Sequence, residues 1–273
     1  MQKKFLIIGL TLIFVCIAAF LIYHVVVNAN IFKCTPSIAV DEEAMLLDKA
    51  QKLFADGELL KTRDLYQMII EKFPNSKNII KMQEALDNVN MAILFSSIPA
   101  RDSLVYEVQK GDSLSKLAKK FNTTIELISK ANNLKNYTIR LGQALKITKA
   151  VFSIVVDKSQ NILTLKSDGH ILKTYRVSTG KNSSTPVGNF KIATKVVNPV
   201  WYTQGAVVPP DSPNNILGSR WLGISKPGYG IHGTLDPQSI GKSVTAGCVR
   251  MNNTDVEELY SIVPEGIEVV IVD

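Results

Sequence analysis

Residues 229–250 read YGIHGTLDPQSIGKSVTAGCVR, and this stretch carries the most informative pair of side chains in the chain, His232 and Cys248. A cysteine attacks a carbonyl as its thiolate, and a free thiol with a pKa of about 8.5 needs a partner that takes its proton. Of the three histidines in the chain, His24 lies in an apolar run and His170 in a polar turn. His232 is therefore the candidate base, and Cys248 is the candidate nucleophile.

Two glycines flank this pair, because Gly233 follows the histidine and Gly247 precedes the cysteine. Glycine allows close backbone approach and dihedral angles at which amides converge on one point, as an oxyanion site requires. We expect amides near Gly247 and Cys248 to form such a site. Thr245, Gly247 and Arg250 are predicted to border the substrate, with Arg250 either binding a substrate carboxylate or bracing the cysteine loop through an ion pair.

Other roles are open to these residues. Cysteine is often a small buried hydrophobe, and a lone histidine is often a satisfied core residue. A structural zinc site needs about four ligands at short spacing, and this sequence has neither a C-x-x-C pair nor a second histidine near His232. We expect no metal and no cofactor.

The composition is that of a folded protein with several domains, with 273 residues, 46% hydrophobic and 20% charged. The net charge of +7 fits contact with an anionic surface such as cell-wall polymer or lipid headgroups. The basic residues are scattered along the sequence, and no basic stripe with interleaved aromatics indicates a nucleic-acid partner.

The N-terminal 30 residues predict a membrane anchor. Residues 5–27 are apolar and long enough to span a bilayer as one helix. Because Lys3 and Lys4 precede this run, we expect a single-pass protein in the cell membrane, with a cytoplasmic N-terminus and the remainder exported to a periplasm or cell wall. The alternative is a signal peptide that is cleaved after residues 27–29, which would release a secreted protein.

Residues 41–98 are predicted to form a helical spacer. Apolar residues recur at helical spacing, and breaks fall at Gly57 and at residues 73–76. The segment resembles part of a tetratricopeptide helix pair, although at least three repeats normally build a stable solenoid. Plain packing of a helical hairpin is the favoured interpretation, and a docking surface for a partner protein is the alternative.

Residues 105–148 show the order strand, helix, helix, strand. The strings YEVQKGDSL, NNL and IRLGQALKI within this segment closely resemble a lysin-motif (LysM) domain. The resemblance implies that it binds peptidoglycan through N-acetylglucosamine-containing glycan, in a groove between two loops. The candidate glycan-binding residues in those loops, several of which also suit turns and helix caps, are Gly111, Asp112, Ser113, Asn132, Asn133 and Leu134.

Residues 151–273 alternate in strand-like fashion between turns, with one helix predicted after the cysteine and capped by residues 253–255. The strings STPVGNF, NPVWY, LGSRWLG, YGIHGT and TAGCVRM occur in order and resemble the L,D-transpeptidase catalytic domain. The predicted fold is therefore multidomain α+β. It comprises an N-terminal transmembrane helix, a helical hairpin segment, a βααβ LysM domain and a mainly-β, β-sandwich-like catalytic domain.

The resemblance implies a cysteine acyltransferase that acts on peptidoglycan peptide stems. His232 would take the proton of Cys248, the Gly233 carbonyl would orient the imidazole, and a thioester would form at stem position three as D-alanine leaves. An amine of a second stem would then give a 3-3 crosslink; water would make the enzyme an L,D-carboxypeptidase, and an anchored protein would become attached to the wall. Ala246 stands where many members have histidine, so a non-catalytic peptidoglycan-binding scaffold is the alternative of another class.

Overall fold

The computed structural model describes residues 36–203 and 205–273, and side chains from residue 42 onward. The predicted membrane anchor lies outside the described residues. Within the described ranges, none of the helices combines the length and the apolar character that a membrane crossing requires. A boundary between compact units falls after Lys52, and the unit that begins at Leu53 holds every element after the first helix.

From residue 36 onward, three helices precede the first described strand: α1 (Pro36–Ala55), α2 (Leu59–Lys72) and α3 (Ile79–Leu94). The chain leaves α1 through Gly57, whose φ of 76° lies in the left-handed region that glycine favours. Helices α2 and α3 pack against each other and bury apolar stripes at helical spacing. The buried apolar side chains on these stripes include Tyr66, Ile69, Met82, Leu86 and Val89.

Helix α3 is hydrogen-bonded to residues 172–174 of the catalytic domain. The Asp87 carboxylate accepts a hydrogen bond of 2.9 Å from the Thr174 amide, and Asn90 donates one of 3.2 Å to the Leu172 carbonyl. Burial raises the pKa of Asp87 above its usual range. The face of α3 that carries these two side chains is therefore covered by a catalytic-domain strand, which reduces the surface left for a partner protein.

The next elements form the predicted strand, helix, helix, strand unit: β1 (Ser103–Glu107), α4 (Leu114–Lys120), α5 (Ile125–Ala131) and β2 (Ala144–Thr148). Strands β1 and β2 pair antiparallel, and Ser113 and Thr124 cap the two helices through their hydroxyl groups. Lys146 on β2 donates hydrogen bonds to the Ile93 and Ser96 carbonyls at the end of α3. This lysine ties the LysM unit to the C-terminal end of α3.

The strands of the catalytic domain are β3 (Phe152–Asp157), β4 (Ile162–Ser167), β5 (His170–Arg176), β6 (Thr179–Gly180), β7 (Gly188–Val197), β8 (Trp201–Thr203), β9 (Ala206–Val208), β10 (Arg220–Ile224), β11 (Gly230–His232), β12 (Ser243–Thr245), β13 (Val249–Arg250) and β14 (Glu268–Val272). One eight-stranded sheet forms the centre of the domain, in the order β13-β11-β10-β7-β14-β3-β4-β5. Helix α6 (Asn253–Ile262) lies between β13 and β14 in sequence, and two-stranded sheets pair β6 with β12 and β8 with β9.

The long strand β7 joins the two halves of this sheet. Its residues 188–191 pair with β14, and its residues 192–197 pair with β10. The predicted β-sandwich-like domain is thus realised as one continuous sheet that curls along β7. Met91 and Leu94 of α3 and Leu127 of α5 share a single apolar core with this sheet, so α3, the LysM unit and the catalytic domain are packed together.

Replacing Asp87 with alanine tests the role of α3. The substitution leaves the Thr174 amide without its acceptor, so we expect the full-length protein to lose about 1–3 kcal/mol of unfolding free energy. Chemical denaturation measures the loss. Glu84→Ala on the exposed side of the same helix is the control, expected to change stability by less than about 0.5 kcal/mol. Equal stability of the two variants would show that α3 does not depend on this contact.

Candidate active site

Parallel pairing of β11 with β13 brings the two halves of the predicted site together. His232 lies opposite Arg250 in the register, and the Met251 amide donates a 2.8 Å hydrogen bond to the His232 carbonyl. Cys248 directly precedes β13. A cavity of about 750 Å³ opens at this point. Its lining includes the candidate base His232 and the candidate nucleophile Cys248, together with Thr245, Ala246 and Arg250.

The imidazole of His232 is buried and has a defined tautomer. Its Nδ1 lies 2.6 Å from the Gly233 carbonyl oxygen. Because a carbonyl can only accept, Nδ1 carries the hydrogen and Nε2 keeps the free lone pair. Burial lowers the pKa of His232 to about 4, and Arg250 acts in the same direction, against the Gly233 and Leu217 carbonyls. The imidazole is therefore neutral at pH 7 and able to accept a proton.

The thiol of Cys248 is half-buried and protonated at rest. Burial raises its pKa, although the Gly230 amide and Arg250 oppose this shift. Its Sγ donates to the Gly228 carbonyl at 3.7 Å, and no hydrogen bond joins the thiol to the imidazole among the described residues. The two groups share a cavity without forming an ion pair, so proton transfer must accompany the attack on a substrate. Within the same described ranges, no cluster of three or more His, Cys, Asp or Glu side chains is arranged to hold a metal ion.

The loop before the cysteine is held by Thr245. Its hydroxyl donates to the Cys248 carbonyl at 2.6 Å and accepts from the Gly247 amide at 3.1 Å. Gly247 has a φ of 133°, and a Cβ there would lie 2.7 Å from the Tyr229 ring. A side chain at this position is therefore excluded by both conformation and space. The Gly247 amide already donates to the Thr245 hydroxyl. To contribute to an oxyanion site as predicted, this amide would have to share its hydrogen between that hydroxyl and the substrate oxygen.

The sequence matches two domain families, the L,D-transpeptidase catalytic domain over residues 152–272 and the LysM domain over residues 106–148. The Bacillus subtilis (strain 168) protein YkuD, which bears the name L,D-transpeptidase, is 36% identical over 62% of this chain and 98% of its own length. The chain belongs to the L,D-transpeptidase family. Both resemblances seen in the sequence are thereby confirmed.

Two other similar proteins match a smaller part of the chain. Bacillus subtilis (strain 168) YqjB, which also bears the name L,D-transpeptidase, is 39% identical over 44% of this chain and 70% of its own length. A solved structure of an L,D-transpeptidase from Mycobacterium smegmatis is 22% identical, with a TM-score of 0.38, over 48% of this chain and 64% of that one.

Arg250 presents an unbalanced charge to the cavity. Its Nη1 donates to the Ser239 hydroxyl at 3.0 Å, and its Nε is buried without a hydrogen-bond partner in the described part of the chain. No carboxylate among the described residues forms an ion pair with it, so the loop-bracing ion pair does not occur there. A carboxylate on a substrate in the cavity would balance this charge.

Trp201 and Trp221 form part of the apolar wall of the cavity. Trp221 also stacks on His232, with ring centroids 6.1 Å apart and an interplanar angle of 21°. Sequence reasoning missed Gly228 and Gly230, whose backbone groups face the sulfur. The only signal for them was the glycine-rich turn before β11.

In the LysM unit, several candidate glycan-binding side chains already make internal contacts. Asp112 accepts hydrogen bonds from the Tyr106 hydroxyl and the Gln109 amide. Ser113 caps α4, and Asn132 exchanges hydrogen bonds with the backbone of Lys146. These contacts show that the three polar side chains shape the loops.

The remaining three glycan candidates differ in exposure and backbone. Gly111 and Asn133 are exposed and have positive φ values of 87° and 50°. Leu134 is half-buried and packs on the core of the LysM unit. Gly111 and Asn133 are therefore the most accessible of the six candidates.

The protonated thiol predicts a steep pH dependence of Cys248 alkylation. Below the pKa of a thiol its thiolate fraction rises about tenfold per pH unit, so iodoacetamide should react progressively faster from pH 6 to pH 9. Peptide mass spectrometry follows Cys248 separately from Cys16 and Cys34. A short unstructured cysteine peptide serves as the reference and should react faster at pH 7. Fast, pH-independent alkylation between pH 6 and 8 would instead reveal a thiolate–imidazolium pair.

Proposed function

We propose that Cys248 and His232 of this L,D-transpeptidase catalyse acyl transfer on peptidoglycan stems. The supporting observation is that a neutral imidazole with a free Nε2 and a half-buried thiol line one cavity beside an unpaired guanidinium. The cavity is apolar along Trp201 and Trp221, and cationic at Arg250. Such a site suits a peptide stem that carries a carboxylate and a scissile amide.

In the first half-reaction, Cys248 forms a thioester with the carbonyl of stem position three. The thiol proton passes to Nε2 of His232 as Sγ attacks, and the C–N bond to D-alanine then breaks. The imidazolium returns its proton to the leaving amine, so D-alanine departs neutral at nitrogen. The Gly233 carbonyl holds the ring through Nδ1, in the position that a carboxylate occupies in a Ser-His-Asp arrangement.

In the second half-reaction, an amine of another stem attacks the thioester. His232 accepts the amine proton and returns it to the sulfur, which restores the thiol and yields a crosslink between two position-three residues. Water in place of the amine gives an L,D-carboxypeptidase, and an amine on an anchored protein gives attachment to the wall. Ala246 is exposed at the cavity edge, where its small side chain leaves room for the acceptor.

We further propose that the LysM unit binds the glycan of the same polymer. Its packing against α3 and the catalytic sheet fixes the binding loops relative to Cys248, so the enzyme would meet stems at a restricted distance along a glycan strand. An anchor at residues 1–30, with the remainder exported, would hold this assembly at the cell membrane. Peptidoglycan is then the partner of both domains.

The proposal is tested with tetrapeptide-stem muropeptides and full-length protein. Wild-type protein should release D-alanine and form dimers, and Cys248→Ala should abolish both. Cys34→Ala is the matched control and should retain activity. Intact mass also reveals the acyl-enzyme, which Cys248→Ala cannot form. Cysteine-dependent tripeptides without dimers would identify a carboxypeptidase, and glycan binding with no cysteine-dependent product would identify the non-catalytic scaffold.

A second test addresses Arg250. Arg250→Lys keeps the positive charge but loses the planar fork, so kcat/KM for carboxylate-bearing stems should fall about tenfold or more, as expected for loss of a charge-assisted hydrogen bond of ~1.5–3 kcal/mol. Stems whose free carboxylate is amidated provide the matched comparison. The wild type should prefer acidic stems, and the variant should lose this preference. An unchanged preference in Arg250→Lys would remove Arg250 from substrate binding.

A further inference from the structure

We infer that Asn253 is a positioning residue for His232 and acts through the peptide group that joins Gly233 to Thr234. The Asn253 Oδ1 accepts a hydrogen bond of 3.0 Å from the Thr234 amide and a second of 3.1 Å from the Ser219 amide. Because both partners are N–H donors, the atom they face is the carboxamide oxygen. Asn253 thus holds two backbone segments with one acceptor.

The Thr234 amide and the Gly233 carbonyl belong to the same planar peptide group. Asn253 fixes the N–H end of this plane, and the C=O end accepts the hydrogen bond from Nδ1 of His232 at 2.6 Å. Rotation of the plane would remove both hydrogen bonds at once. A hydrogen bond at the N–H also polarises the peptide and strengthens its carbonyl as an acceptor. Asn253 therefore stabilises the tautomer that leaves Nε2 free.

The glycines around Asn253 make room for its carboxamide. A Cβ on Gly233 would lie 2.1 Å from Oδ1, and one on Gly218 would lie 2.3 Å from it. A Cβ on Gly218 would also approach the Thr234 nitrogen to 2.4 Å. The two loops therefore approach each other as closely as they do because neither has a side chain at these positions.

The second hydrogen bond links Asn253 to a turn near the imidazole. Ser219 lies in the same turn as Leu217, whose carbonyl interacts with His232. By holding the Ser219 amide, Asn253 restrains this turn relative to the Gly233–Thr234 peptide. Asn253 thus holds both backbone segments whose carbonyls, those of Gly233 and Leu217, interact with His232.

Helix α6 supplies the rigid support for this arrangement. Asn253 is its first residue, and Val256, Leu259 and Ile262 of the same helix are fully buried. A Cβ on Gly233 would also contact Val256, so the helix packs directly behind the histidine loop. The sequence predicted residues 253–255 as the helix cap, whereas Asn252 occupies the cap position and Asn253 turns its oxygen to the active-site loops. The inference rests on the proposed role of His232 as base.

Two variants of nearly the same shape isolate the acceptor oxygen. Asn253→Leu removes both the oxygen and the side-chain N–H₂ group, whereas Asn253→Asp loses the N–H₂ group and keeps the oxygen. Nitrogen-15 NMR of histidine-labelled full-length protein reads the His232 tautomer, and muropeptide turnover gives kcat and KM. Asn252→Ala, a substitution at the neighbouring residue outside the loops, is the control. Thermal melts select a temperature at which all four proteins are folded.

We expect the wild type, Asn252→Ala and Asn253→Asp to hold the Nδ1–H tautomer. Asn253→Leu should show mixed tautomers and lose on the order of 10- to 100-fold in kcat with little change in KM, by analogy with the loss when a metal-bound histidine is deprived of its orienting partner. A single tautomer with unchanged kcat in Asn253→Leu would overturn the inference, as would equal loss in Asn253→Asp. The NMR measurement of the tautomer does not depend on turnover. It therefore tests the role of Asn253 even if the proposed reaction is not observed.

Discussion

The active site depends on the parallel pairing of two very short strands, β11 and β13. Parallel neighbours need a long crossover connection, and here residues 233–248 provide it, with β12 pairing to β6 on the way. Three residues of β11 and two of β13 are too few to fix a register alone. An isolated bridge from Ser178 to Arg250 holds β13 from its other side. His232 and Cys248 can share a cavity because this end of the sheet is clamped from two directions.

Close backbone approach is the second requirement of the site. Gly218 and Gly233 meet at Asn253, and Gly180 and Gly247 meet at the turn that contains Ser184. A Cβ on Gly180 would lie 2.6 Å from the Thr185 amide and 3.0 Å from the Cα of Gly247. Gly218, Gly233 and Gly247, which lie in the family motifs, therefore have a packing explanation for being glycine. Each lies where a second backbone segment supports the histidine or the cysteine.

Local patterns predicted much of this structure. The βααβ order, the helix after the cysteine and the chain breaks near Gly57 and Pro74 follow from periodicity and turn residues, which act over a few positions. The nucleophile and base were recognisable because their residue types suit one chemistry. The strand order and the docking of α3 were not predictable, since Asp87 and Thr174 meet across 87 residues. The roles of Lys146 and Asn253 were not predictable, because asparagine and lysine are common surface residues and the contacts of these two are to backbone groups far away in sequence.

The electrostatics of the pair favour a reactive site that stays unreactive until substrate binds. Desolvation disfavours the charged form of both groups, so the imidazole loses its proton easily and the thiol keeps its own. A thiolate is the form that oxidants and disulfides attack, and a protonated cysteine is correspondingly protected. Arg250 lowers the pKa of both groups, so it favours the thiolate but not the imidazolium. A substrate carboxylate that neutralises Arg250 would therefore raise the pKa of the His232 imidazole and that of the Cys248 thiol together.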